Sequence, residues 1–98
     1  MTNYYQAPAD KIFNEVKREA IKIWETYDNT YGYVSEKVEK VNSLKNIEDN
    51  LMYVVGMFDL PNQIRLSNSL SKEANKEISD RLISVKYDDY YNVFKYKE

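Results

Sequence analysis

Two glycines and two prolines are the only such residues in a chain of 98, and that scarcity constrains the fold more than any other feature. Gly and Pro supply the backbone geometries on which tight turns depend. A chain so poor in them is built from long elements with short links, which favours helices. The apolar pattern agrees. Ile12, Phe13, Val16, Ala20, Ile23, Trp24 and Tyr27 recur at helical spacing, while Lys11, Glu15, Arg18, Glu19, Lys22 and Glu25 form an opposite, solvated face of mixed sign. Pro8 fits a first helical turn, where its missing N–H costs nothing, and Asp10 suits the positive end of the dipole. A helix over 8–27 follows.

Asp28, Asn29 and Gly32 favour a turn, although the apolar phase runs on through it, since Phe13, Ala20, Tyr27, Val34 and Val41 are each seven apart. One unbroken helix is the alternative. Val34, Val38, Val41, Leu44, Ile47, Leu51, Val54, Val55 and Phe58 then predict a helix over 34–58, kinked near Asn46 and supported by a Glu36–Lys40 pair. Gly56, inside it, reads as a place where a neighbouring helix approaches closely. Asp59-Leu60-Pro61 ends this segment. Pro61 opens a short helix carrying Ile64, Leu66 and Leu70. Ser71 caps a last helix with Ala74, Ile78, Leu82 and Val85 inward and a Glu77–Arg81 pair outside. The tail fits helix or strand equally. The sum is an all-α fold, a bundle of three to five helices. It forms a single domain over 1–98, with an arm at 1–7, a helical core at 8–86 and a Tyr-rich tail at 87–98.

With 43% apolar and 31% charged residues, the composition is that of a folded chain. Met1 to Gln6 carries neither the basic nor the apolar region of a secretory signal. Thr2 stands where myristoylation requires glycine. The longest apolar run, 51–58, falls short of the ~20 residues of a membrane span. A cytoplasmic protein without membrane contact is the expectation.

Cysteine and histidine are both absent. Nucleophile systems built on histidine or cysteine are therefore excluded, as are thiolate metal sites, disulfides and prenylation. Acid–base chemistry would fall to carboxylates, Lys or Tyr. The adjacent acids Glu48-Asp49 and Asp88-Asp89 point about 100° apart on a helix and share no proton. No cofactor or metal is expected, and an enzyme dependent on carboxylates ranks last. Isolated Gly32 and Gly56 make no phosphate-binding loop. A net charge of −2 argues against nucleic acid. The helix-turn-helix-like order of 61–85 is disfavoured as a DNA reader, because Glu73, Glu77 and Asp80 would face phosphates beside Lys72, Lys76 and Arg81.

Tyrosine, present in ten copies, is the residue type most suited to binding. Tyr4 and Tyr5 lie in the arm, Tyr31 and Tyr33 flank Gly32, and Tyr87, Tyr90 and Tyr91 crowd the tail. Tyr rings complete the edge of a thin core or present a rigid amphipathic surface to a partner. The second use points to a non-catalytic protein-binding module, self-association included. An alternative is nucleotide binding or sequestration, with a base stacked on Tyr and phosphates held by residues such as Arg65 and Arg81.

In size, helicity and lack of catalytic residues, the chain resembles small helical proteins of phages and mobile elements of the inhibitor type. That resemblance implies a binder that inhibits a host enzyme or a defence component. It assigns no role to any one residue.

Overall fold

The computed structural model describes residues 8–28, 33–48 and 50–85, with side chains over 9–81 of these. The Tyr-rich arm, the turn bearing Tyr31 and the Tyr-rich tail lie outside the described residues. Among the described residues five helices follow in chain order: α1 Pro8–Tyr27, α2 Tyr33–Ser43, α3 Asn50–Val55, α4 Leu60–Ser69 and α5 Lys72–Val85. Among the described residues there is no strand. The fold is all-α, as the turn-poor sequence requires.

The long α1 is the axis. It packs against all four other helices, and α3 also meets α5. Its inward stripe is Phe13, Val16, Ala20, Ile23 and Trp24, all buried, at the three- and four-residue steps that keep side chains on one face. They join Val41, Ile47, Leu51, Val54, Val55, Phe58, Leu66, Ala74 and Ile78 in one apolar cluster. At its centre the Trp24 and Phe58 rings stack, with centroids 4.8 Å apart and planes inclined by 12°. Such a pair adds ~0.5–1.5 kcal/mol to the burial of its area. Asp28 lies outside the helix, so α1 stops at Tyr27.

The expected 34–58 helix is two helices. Residues 44–48 leave the helical path, where Asn42, Ser43 and Asn46 weaken propensity. The side chain of Ser43 donates to the Lys40 carbonyl at 2.6 Å, competing for the terminal backbone acceptors. Ile47 still reaches the core, which preserves the apolar phase across the break. Gly56 is exposed in the turn after α3, so it hosts no close helix approach. Met57 and Phe58 donate to carbonyls three residues back, tightening the chain as helices do at their ends. The Glu36–Lys40 pair does not form. Instead, Lys40 Nζ lies 5.6 Å from the Tyr53 ring centre.

The caps of α4 and α5 are sequence-encoded. Asp59 has extended backbone geometry and its side chain accepts from the Asn62 N–H at 3.1 Å, with Pro61 in the first turn. Ser71 Oγ accepts from the Ala74 N–H at 3.1 Å, as an N-cap does. The carboxylate of Glu15, assigned above to the solvated face, accepts from the Ser71 N–H at 2.7 Å and hydroxyl at 2.9 Å. It ties the entry of α5 to α1 and puts negative charge at a helix N-terminus, where the dipole favours it. Asn75 completes the corner, donating to the Ser67 carbonyl at 2.9 Å and accepting from the Ser67 hydroxyl at 3.1 Å.

Candidate functional site

The surface between the C-terminal half of α1 and the exposed side of α4 brings together the residue types that bind partners. Tyr27 is half exposed, at 49%, although its sequence phase placed it with the core. The reason is geometric. A seven-residue repeat falls ~20° behind per cycle in a straight helix, so Tyr27, two cycles after Phe13, has rotated toward the edge. On α4 the buried arc is Gln63, Leu66 and Ser67, continued by the C-cap Leu70. Ile64 lies one residue off that arc, about 100° around the helix, and is 44% exposed instead of buried. Leu60, one turn earlier on the same flank, is exposed as well.

Arg65 bridges the two helices. Its guanidinium carbon stands 4.0 Å from the centre of the Tyr27 ring, a cation–π contact worth ~0.5–1 kcal/mol at an exposed position. Its Nη1 donates to Asn62 Oδ1 at 2.7 Å. The guanidinium is thereby fixed from two sides. Beneath lies an open groove of about 400 Å³, floored by Ile23 and edged by Glu19, Lys22 and Thr26 on α1 and by Asn68 and Ser69 on α4. Glu19 is shared between Lys22, at 3.5 Å, and Arg18, at 3.8 Å.

The other sequence-derived candidates are placed elsewhere. Tyr33 begins α2 and is 57% exposed. Arg81 donates to Glu77 at 2.9 Å and to the Glu48 carbonyl at 3.0 Å, neither of which lines the groove. Arg65 and Arg81 therefore do not share this site, since one serves α4 and the other closes α5 onto the segment before α3. Tyr4, Tyr5, Tyr31, Tyr87, Tyr90 and Tyr91 fall outside the described residues, as do Asp49, Asp88 and Asp89.

The site residue missed from sequence is Tyr27; the exposure of Leu60 and Ile64, which do not line the groove, was missed as well. The drift of the heptad phase would have exposed the first. The exposure of Ile64 was hidden because hydropathy favours Ile over Gln for burial, whereas the arc of α4 buries Gln63. Gln63 Nε2 donates to the Phe58 carbonyl at 3.3 Å, and its Oε1 is buried without a hydrogen-bond partner among the described residues.

Among the described residues no group of three or more acidic side chains is placed to hold a metal ion, and no helix is long and apolar enough to cross a membrane. No family model, curated protein or solved structure matches the chain.

Proposed function

We propose that the protein is a non-catalytic binding module that engages another protein through the α1–α4 surface centred on Tyr27 and Arg65. The carrying observation is the stack of Arg65 on Tyr27, held by Asn62 at the edge of the α1–α4 groove. Tyr and Arg are the side chains most enriched among residues that dominate binding energy. A stacked, hydrogen-bonded pair loses less side-chain freedom on association than two mobile residues do. Inhibition of a host enzyme or defence component, as the resemblance implies, is the form of binding that this reading favours.

The test is a pull-down with tagged wild-type protein from nuclease-treated bacterial lysate, beside a Tyr27→Ser/Arg65→Ala variant. A stoichiometric partner retained by the first and lost by the second, with unchanged helical circular dichroism, supports the reading. Equal retention by both moves the binding surface elsewhere.

Nucleotide binding is the second reading, favoured by Lys22 and Arg65 facing one groove from different helices beside an aromatic ring. It predicts a thermal shift with a mono-, di- or cyclic nucleotide that Arg65→Ala abolishes. A flat response to all three classes removes it.

A further inference from the structure

We propose that a second surface, the channel between α1 and α2, binds a basic amphipathic segment of a partner protein. The charges of α2 are unequally engaged. Lys37 is turned inward, donating to Asp28 at 2.6 Å and lying over the Trp24 ring at 5.6 Å. Lys40 covers Tyr53. Both lysines of α2 are thus engaged within the molecule. Glu36 and Glu39 are exposed, and Glu25 faces them from α1. Among the described residues none of these three carboxylates has a hydrogen-bond or ion-pair partner.

Between them runs an open channel of about 990 Å³. Val34 and Val38, four residues apart and so on one helical face, form its floor and are only partly buried. Among the described residues no Lys or Arg lines it. The acids form no metal-holding group among the described residues. An apolar floor under a polar rim whose charged members, among the described residues, are all acidic complements a segment that carries apolar residues on one face and Lys or Arg on its borders, the helix-in-groove mode of recognition. Nucleic acid is repelled by the same three charges.

This surface uses different residues from the Tyr27–Arg65 site, so either can fail alone. The experiment is titration of the full chain with a synthetic peptide of about 14 Leu and Lys residues patterned as an amphipathic helix. Backbone amide NMR is the readout, beside a scrambled peptide of identical composition. The expected result is saturable shifts over 25 and 34–42 and binding weakened about tenfold or more by Glu25→Gln/Glu36→Gln/Glu39→Gln. Tyr27→Ser/Arg65→Ala should bind the peptide as wild type does. Equal binding of the scrambled peptide would reduce the effect to bulk charge and overturn the proposal. Shifts located elsewhere, an unaffected triple variant, or peptide-free dimerisation through this face would also overturn it. The three substituted positions are exposed or rim-lying, and circular dichroism confirms that the variant is folded.

Discussion

At the scale of single residues, Trp24 carries the largest share of the core. Buried to 1% exposure and stacked on Phe58, it leaves a large cavity if truncated. Trp24→Ala is expected to cost about 3–5 kcal/mol, a large part of the ~5–15 kcal/mol that holds a domain of this size. Urea denaturation measures it as a lowered midpoint. Gln63 behaves oppositely. Its Oε1 is buried without a hydrogen-bond partner among the described residues, and its one bond is long. Desolvating an unpaired acceptor costs ~1–3 kcal/mol, more than a weak bond returns. Gln63→Met, which roughly conserves volume, should raise the melting temperature in calorimetry. A fall would mean that the Phe58 carbonyl depends on this amide.

At the scale of elements, the corner between α4 and α5 is held by polar contacts, and loss of a helix cap, Ser71 at this corner or Asp59 at the start of α4, is the clean probe. Asp59→Ala and Ser71→Ala should each cost about 1 kcal/mol. Ser71→Ala also removes the hydroxyl that donates to Glu15, so a double-mutant cycle with Glu15→Gln should show coupling between the two sites. Additive losses would mean that this contact contributes nothing to stability. The Ser71 cap was legible in the sequence because a capping hydroxyl acts locally, whereas Asp59 was read only as the end of the preceding segment and the structure shows it capping α4. The ends of α1 and the start of α4 were legible from local signals too. The division of 34–58 was not, because Ile47 and Leu51 keep the apolar phase while Asn42, Ser43 and Asn46 break the backbone path. Periodicity reports which residues face the core, not whether the chain between them stays helical. The Glu15–Ser71 contact joins residues 56 positions apart and has no local signature.

At the scale of the whole molecule, α1 organises everything. It supplies five core side chains, anchors α5 through Glu15 and forms one wall of both candidate surfaces. The sequence pointed to an aromatic binding surface by composition; the pair proposed for it among the described residues is Tyr27 and Arg65, while Tyr4, Tyr5, Tyr31, Tyr87, Tyr90 and Tyr91 lie outside them. Of that pair only Arg65 was singled out beforehand, because side chains from separate helices meet only through packing. The binding account predicts that this surface, not the α3–α5 side, is covered in a complex. Hydrogen–deuterium exchange on the protein with the partner retained in the pull-down tests it most directly. Slowed exchange in the C-terminal half of α1 and along α4 is the result expected. Slowing confined to α3 and α5, with α1 and α4 unchanged, would contradict it.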